Sequence, residues 1–270
     1  MGAYCLNAHI YFISVPLLIT MKISLVIPTY KKEREVLDQL ERVYGYLSRT
    51  NPNFELIFVI DGYVDNTKGT LMQYIKNNNL KKAKVFGYRK NMGKGYAIRF
   101  GMQRATGDVI GFIDADTDIQ IRTLGYAIKA INRDGVMAVI PSKLHKDSNV
   151  EMTFSRKVFS YGLITLNRVF LRLPKDITDV GCGLKLFKRD LVKRILPNLK
   201  VNRFAIDSEI LNEIGRVGYK VSVIPFFLNK NRSDSTSANL KDVSRMIKDI
   251  LSISIKENRV FNSKLLKAYR

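Results

Sequence analysis

A short apolar segment that ends in three aspartates constrains the fold of this chain more than any other feature. Residues 109–113 are apolar or glycine and follow Gly107-Asp108, a pattern that is typical of a buried strand. Asp114, Asp116 and Asp118 come directly after this segment, at alternate positions. In open α/β sheets, ligands bind in the crevice beside the carboxyl ends of the strands. The segment therefore predicts a buried parallel strand that delivers acids to a ligand site.

The spacing of the three aspartates is compatible with two interpretations. Clustered carboxylates repel one another unless a cation lies between them. Their hard oxygen ligands select Mg²⁺ or Mn²⁺, ions that usually come with substrate phosphates. A loop of three solvated aspartates also explains the spacing, because aspartate is common in turns. The aspartates alone leave a metal site and a solvated loop open.

The flanking sequence predicts an α/β fold. Short apolar segments alternate with amphipathic helical segments, which indicates a mostly parallel sheet with helices on both faces. In the first half, the other predicted strands are Ile23–Pro28, Phe54–Ile60, Ala83–Gly87 and Val136–Pro141. In the second half, the pattern predicts helices at Phe154–Leu173, Phe204–Val217 and Leu240–Ile255 and a strand at Val221–Leu228.

The two ends of the chain differ from the part between them. Residues 1–20 are an apolar extension that lacks the basic start and cleavage site of a signal peptide. We expect Met21 to be the biological start and residues 1–20 to be upstream read-through, with a short membrane anchor as the alternative. Residues 21–235 form the predicted α/β domain, and residues 236–270 a basic amphipathic helix and tail.

The net charge of +21 favours anionic partners such as nucleic acid, an anionic membrane surface or phosphorylated substrates. We expect no nucleic-acid partner, because the sequence has no helix-turn-helix, zinc or RNA-recognition signature. The basic residues of the first half are also interleaved with acids. Two cysteines and two histidines argue against a disulfide framework and against a histidine-centred metal or catalytic site.

The glycine-rich segment Asn91–Gly95 suggests a loop that cradles phosphate, although an ordinary helix entry explains it as well. It lacks the GxxxxGK[ST] spacing of a P-loop, and no GxGxxG follows the first strand. Four motifs in this order resemble family 2 glycosyltransferases of the GT-A (Rossmann-like) fold. They are Pro28–Glu33, Val59–Thr67, Asn91–Gly95 and the segment from Gly107-Asp108 to Asp114-Ala115-Asp116.

The resemblance implies an inverting transfer of a hexose from a nucleotide-sugar, either UDP-glucose or GDP-mannose. The donor would be bound by Pro28, Tyr30, Glu33, Asp61, Lys94 and Asp114. Mg²⁺ or Mn²⁺ would be held by Asp114 and Asp116, with Asp118 as a third carboxylate ligand. Ile60 stands where the family usually has the first acid of an Asp-Asp pair. For Lys94, a surface lysine at a helix start is the alternative interpretation.

The second half is similar to dolichyl- or polyprenyl-phosphate hexose synthases. This similarity implies a lipid phosphate acceptor, bound by Lys143, Arg156, Ser160 and Arg232, with Lys230 as a further candidate. Arg156 would join Asp114 and Asp116 as a catalytic residue. We expect peripheral binding at the cytoplasmic face of a membrane, through the long helix from Phe154 and the basic tail.

Other functions remain as alternatives to a lipid phosphate acceptor. A sugar hydroxyl acceptor in polysaccharide or glycan assembly would need a carboxylate base, for which Asp207 and then Glu209 are the candidates. A pair of exposed acids on a helix surface is the other interpretation of these two residues. The chain has no tryptophan, and therefore no Gln-x-x-Arg-Trp motif of the processive synthases. The intact Asp114 and Asp116 argue against a non-catalytic relative.

Overall fold

The computed structural model describes residues 21–148, 150, 154–229 and 243–256. Within these ranges the strands are β1 (Ile23–Thr29), β2 (Phe54–Asp61), β3 (Ala83–Tyr88), β4 (Val109–Ile113), β5 (Ala138–Ser142), β6 (Leu184–Lys188) and β7 (Val221–Pro225). The helices are α1 (Val36–Thr50), α2 (Thr67–Asn77), α3 (Lys94–Met102), α4 (Ile121–Ile131), α5 (Phe154–Phe170), α6 (Arg189–Ile195), α7 (Ile206–Val217) and α8 (243–256). A short 3₁₀ turn, Leu196–Asn198, follows α6.

The strands form one sheet in the order β3-β2-β1-β4-β6-β5-β7. β6 pairs antiparallel with both of its neighbours, whereas every other pairing in the sheet is parallel. The prediction of a mostly parallel α/β sheet is thus confirmed. Because β6 runs in the opposite direction, its first residue, Leu184, lies opposite Ile113 at the end of β4. The loop before β6 therefore reaches the edge of the sheet where the other strands end.

Each face of the sheet is covered by helices, as the alternation of segments predicts. On β1, Ile23, Leu25 and Ile27 join one core cluster and Val26 joins the other, because successive strand residues point to opposite faces. α1 and α4 cover the first face, and α3, α6 and α7 cover the second. The buried apolar positions of α1 follow the helical repeat and are Val36, Leu40, Val43 and Leu47.

The second half departs from its predicted boundaries in three places. α5 ends at Phe170 and not at Leu173, and α7 begins at Ile206. The last strand stops at Pro225, after which Leu228 forms an isolated antiparallel bridge with Ile119. That bridge joins the segment after β7 to the loop that carries the three aspartates.

Some predictions fall outside the part of the chain that the structure describes. These are the interpretation of residues 1–20, the binding roles of Lys230 and Arg232, and the tail from residue 257. α8 agrees with the predicted C-terminal helix over the residues that are described. None of the helices within the described ranges has the length and apolar character that crossing a bilayer requires.

A buried glutamate ties three segments together at the edge of the sheet away from the aspartates. Glu55 on β2 is 2% exposed. Its Oε1 accepts hydrogen bonds from the hydroxyl of Ser24 at 2.6 Å and from the amide and hydroxyl of Thr106, both at 2.7 Å. Its Oε2 accepts one from Nζ of Lys84 at 2.7 Å. Burial alone would raise the pKa of Glu55, but these donors outweigh it and lower the pKa from 4.5 to about 2.

We predict that Glu55→Gln lowers the free energy of unfolding by roughly 2–3 kcal/mol at pH 7. Because the pKa of Glu55 is depressed in the folded protein, the carboxylate stabilises the fold fully above its unfolded pKa of 4.5. That stabilisation is lost as the pH falls from 4.5 toward 2. Urea denaturation at several pH values should show the two proteins converging below pH 4.5. A difference that stays constant with pH would contradict this assignment.

Candidate functional site

The aspartate loop after β4 is held in place by the loop that precedes the reversed strand β6. The amide of Asp114 donates a hydrogen bond to the carbonyl of Gly183 at 2.8 Å. A Cβ atom on Gly183 would lie 2.0 Å from Oδ2 of Asp114, so this position accepts only glycine without displacing the carboxylate. Asp114 is therefore positioned by a residue that lies far from it in the sequence.

Lys94 provides a cation that contacts the first of the three aspartates. It is the first residue of α3, and its Nζ lies 2.6 Å from Oδ1 of Asp114 and 3.9 Å from Oδ2 of Asp207. Its side chain is 19% exposed, so the alternative of an ordinary surface lysine is wrong. The structure thus brings Lys94 and Asp114, two predicted donor-binding residues, into direct contact.

A second lysine lies behind this pair, and sequence reasoning missed it. Lys185 is fully buried on β6. Its Nζ donates to Oδ1 of Asp207 and to the carbonyls of Val180 at 3.0 Å and Cys182 at 2.8 Å. Positive and negative groups therefore alternate from the aspartate loop into the protein interior. A lysine among the apolar residues of a strand was the available signal, because a buried ammonium needs a carboxylate partner.

The pKa values reflect the balance between burial and charge in this cluster. Burial and the charge of Asp116 raise the pKa of Asp114, although Lys94 opposes this shift. Burial and the charge of Asp118 raise the pKa of Asp116 in the same way. Burial disfavours the ammonium of Lys94, but the charges of Asp114 and Asp207 outweigh burial and raise its pKa. The acids thus repel one another, and the site gains from additional positive charge.

Two residues of α1 brace the backbone of the aspartate loop. Nε2 of Gln39 donates to the carbonyl of Asp114 at 2.8 Å. Arg42 donates to the carbonyls of Thr117 at 2.9 Å and Ile119 at 2.6 Å. Burial lowers the pKa of Arg42, while the charges of the nearby aspartates counteract it. Sequence reasoning missed this brace, for which a polar residue on the apolar stripe of α1 was the signal.

Asp61 binds the glycine-rich loop that leads into α3. Its carboxylate accepts hydrogen bonds from Nδ2 of Asn91 at 2.9 Å and from the amides of Met92 at 2.7 Å and Gly93 at 2.9 Å. Gly93 has a φ of 101°, which favours glycine. Asp61 thereby fixes the loop from which Lys94 extends, a contact that the sequence did not reveal.

The remaining donor-binding candidates lie around the same edge of the sheet. Pro28 is partly exposed near the end of β1, and Tyr30 is 42% exposed directly after that strand. Glu33 accepts a hydrogen bond from the amide of Asn66 at 3.2 Å, which joins the segments after β1 and β2. These candidates and Asp61 therefore lie at the ends of two adjacent parallel strands or directly after them.

The predicted acceptor residues are only partly described. Lys143 follows β5, and its Nζ lies 3.6 Å from Oδ2 of Asp179, which also accepts its amide at 3.0 Å. Ser160 lies partly exposed on α5. Arg156 belongs to the first turn of α5, but its side chain and the whole of Arg232 lie outside the described part of the chain.

The interpretation of Asp207 and Glu209 as exposed acids on a helix surface is wrong. Each is only 6% exposed, because the first turns of α7 are buried on all sides. Glu209 accepts hydrogen bonds from the amides of Lys200 at 2.9 Å and Val201 at 2.8 Å. Helical periodicity assigns these acids to different faces, but it does not report that both faces are covered.

The acid pair fits a divalent ion that is bound together with phosphate. Within the described ranges, no three His, Cys, Asp or Glu side chains are already arranged around one metal position. Mg²⁺ commonly takes one or two carboxylates and completes its shell with waters and substrate phosphates. Asp114 and Asp116 are partly exposed, repel one another and already attract an ammonium group. These properties suit such an ion, and Asp118 follows them in the same loop.

Comparison with known proteins agrees with this geometry. Residues 24–196 match the model of the family described as glycosyl transferase family 2. A dolichyl-phosphate beta-glucosyltransferase (ALG5A) of Trichomonas vaginalis is 30% identical over 241 residues, which cover 86% of this chain and 73% of the relative.

Two solved structures show the same fold. Mannosyl-3-phosphoglycerate synthase from Rubrobacter xylanophilus superposes with a TM-score of 0.68 at 18% identity, covering 91% of this chain and 76% of the other. Glucosyl-3-phosphoglycerate synthase from Mycobacterium tuberculosis, solved with Mn²⁺, UDP and phosphoglyceric acid, gives 0.61 at 15% identity, covering 88% and 78%. From its sheet, its acid pair and its match over residues 24–196, the chain belongs to glycosyl transferase family 2 and is a GT-A nucleotide-sugar glycosyltransferase.

Proposed function

We propose that the protein transfers glucose from UDP-glucose to a dolichyl or polyprenyl phosphate at a membrane surface, with Mg²⁺ or Mn²⁺ bound at the acid pair. The observation that carries the proposal is the position of Asp114 and Asp116 at a strand end, with the ammonium of Lys94 beside them. The choice of glucose and of a lipid phosphate rests on the similarity to a dolichyl-phosphate beta-glucosyltransferase. GDP-mannose is the alternative donor.

The donor site must offset the charge that develops on the departing nucleoside diphosphate. A divalent ion held by Asp114 and Asp116, with Asp118 as a further oxygen ligand, would neutralise that charge when bound. Lys94 can donate a hydrogen bond to a diphosphate oxygen, because its Nζ lies beside Asp114. Pro28, which is partly exposed, and Tyr30 would contact the nucleoside.

A phosphate acceptor needs cations but no general base. A phosphate monoester is already anionic near neutral pH, so one of its oxygens can attack the anomeric carbon and invert its configuration as the diphosphate departs. Asp207 is the base candidate for a hydroxyl acceptor, but Lys185 engages its carboxylate in the interior. This contact favours the phosphate acceptor. Lys143, Arg156, Ser160 and Arg232 would bind that phosphate.

The outer surface of α5 offers an apolar face for a membrane. Phe154, Tyr161 and Val169 are 83%, 55% and 70% exposed, and a shallow groove runs along the helix beside Val158 and Phe170. Together with the strongly basic composition, this face is suited to binding an anionic membrane surface.

We expect the purified protein to release UDP from UDP-glucose only when both Mn²⁺ or Mg²⁺ and a short polyprenyl phosphate are present. Asp116→Ala should abolish this release, because one of the two carboxylates that hold the ion is gone, while the fold is retained. Release of nucleoside diphosphate is measured for UDP-glucose and GDP-mannose in parallel. Full activity of Asp116→Ala in the presence of a chelator would overturn metal-dependent transfer.

A pair of glycines in one loop gives a matched control for this assay. Gly183→Ala should also abolish release, because the new methyl group collides with the carboxylate of Asp114. Gly181→Ala should retain activity, since its Cβ would have no neighbour closer than 3.9 Å. Thermal melting of both variants distinguishes loss of the site from loss of the fold.

We predict that Arg156→Ala lowers kcat/KM for the polyprenyl phosphate about 10- to 100-fold, because it removes a charge-assisted hydrogen bond to the acceptor. The KM for UDP-glucose should be unchanged, and Arg156→Lys should recover only part of the loss. Lys157→Ala, which removes the next basic residue of α5, serves as the control and should stay within about fivefold of the wild type. Equal losses in Arg156→Ala and Lys157→Ala would exclude a specific role for Arg156.

We expect the chain from Met21 onward to bind vesicles that contain phosphatidylserine, and Tyr161→Ser with Val169→Ser to weaken this binding by removing apolar contact. Binding should also fall with added salt, since the Debye length is about 10 Å at 0.1 M. Cosedimentation measures the bound fraction. The control changes Tyr126→Ser and Met72→Ser, two residues of similar exposure on α4 and α2. Equal losses for the two double variants would reject α5 as the membrane-binding face.

A further inference from the structure

We propose that Lys94 is an internal counter-ion that occupies Asp114 in the free protein and moves to the donor diphosphate when the divalent ion binds. The ion and the nucleotide would therefore bind cooperatively, each weakly on its own. This inference rests on the proposed function and adds to it a residue that couples the binding of the ion to the binding of the nucleotide.

The ammonium of Lys94 and a divalent ion would compete for the carboxylate of Asp114. Nζ of Lys94 lies 2.6 Å from Oδ1 of Asp114, a distance at which the ammonium donates a strong hydrogen bond to that oxygen. A divalent ion that takes Asp114 as a ligand must compete with this ammonium. The carboxylate is partly exposed, so the ion can reach it from solvent.

The backbone that carries Lys94 is held on both sides, which leaves the motion to its side chain. Its neighbours Gly93 and Gly95 lie so close to the 201–203 segment that a Cβ on either would fall within 2.4 or 2.5 Å of a backbone oxygen. The amide of Tyr96 donates to the carbonyl of Asn202 at 3.1 Å, and Asp61 binds the amide of Gly93. The start of α3 is thus fixed, and the four-carbon stem of the lysine carries the motion.

A second acceptor for the ammonium of Lys94 lies nearby. Oδ2 of Asp207 is 3.9 Å from Nζ of Lys94, while Oδ1 of the same carboxylate is bound by Lys185. Lys185 is fully buried and also donates to two carbonyls, so it holds Asp207 in place. The ring of Phe112, whose centroid is 5.8 Å from Nζ of Lys94, also favours a cation at this position.

The charges explain why the ion and the nucleotide should depend on one another. An ion bound alone would lie next to the displaced ammonium of Lys94 and repel it. The ammonium would then have Asp207 as its remaining carboxylate partner. A diphosphate bound alone would face the carboxylates of Asp114 and Asp116. With both bound, the opposite charges of the ion and the diphosphate would offset each other, and Lys94 would donate a hydrogen bond to a diphosphate oxygen. Because coupling between two binding sites is reciprocal, each ligand must raise the affinity of the other.

The test measures Mn²⁺ binding by electron paramagnetic resonance, with and without UDP, and needs no catalytic turnover. Lys94→Met should bind Mn²⁺ alone about tenfold more tightly than the wild type, because the competing charge is gone. UDP should then raise the affinity for Mn²⁺ less than it does in the wild type. Lys94→Arg, which keeps the positive charge, should bind Mn²⁺ alone as weakly as the wild type.

Lys129→Met, which removes an exposed lysine from the last turn of α4, has the same net charge as Lys94→Met and should leave Mn²⁺ binding unchanged. If Lys94→Met binds Mn²⁺ alone no more tightly than the wild type does, while wild-type protein binds Mn²⁺ with UDP, the counter-ion role is overturned and the proposed function stands. If the wild type binds no Mn²⁺ even with UDP, metal-dependent transfer fails and the counter-ion role fails with it.

Discussion

The site is held together by four charged side chains of alternating sign at the carboxyl edge of the sheet. Lys94 lies between Asp114 and Asp207, and Asp207 in turn contacts Lys185. Buried charges are costly unless they are paired, and each of these groups lies beside a group of opposite sign. Lys185, the innermost of the four, also donates hydrogen bonds to two backbone carbonyls. At the outer end, Asp114 and Asp116 together carry more negative charge than Lys94 offsets. Attraction for a further cation is thus built into the arrangement.

Hydrogen bonds from neighbouring side chains hold the backbone around these charged groups without using the carboxylates of Asp114 and Asp116. Gln39 and Arg42 bind the backbone carbonyls of the aspartate loop, while the side chains of Asp114 and Asp116 remain partly exposed. Asp61 holds the glycine-rich loop through its amides. Side-chain hydrogen bonds thus hold the backbone on both sides of the acid pair in the free protein. A site of this kind is largely organised before its substrates arrive.

Local sequence patterns were sufficient to predict most of the fold. The short apolar segments and the motifs after β1, β2 and β4 gave the parallel sheet and the edge at which the acids lie. The reversed direction of β6 could not be predicted, because a short apolar strand has the same pattern in either direction. The burial of Asp207 and Glu209 was missed for a similar reason: it depends on the packing of distant segments around α7. The contact of Gly183 with Asp114 also joins distant parts of the chain, which one sequence does not reveal.

The reversal of β6 also affects the order in which the protein can assemble during synthesis. β4 is complete at Ile113, but the strand that pairs with its free side begins only at Leu184. The residues that hold Asp114 and Lys94 in place, including Gly183 and Asp207, are made later still than β5 and α5. Contacts between such distant segments form slowly, because a long loop must first be closed. Lys94 and Asp114 therefore leave the ribosome well before Gly183 and Asp207, the partners that shape their surroundings, have been made.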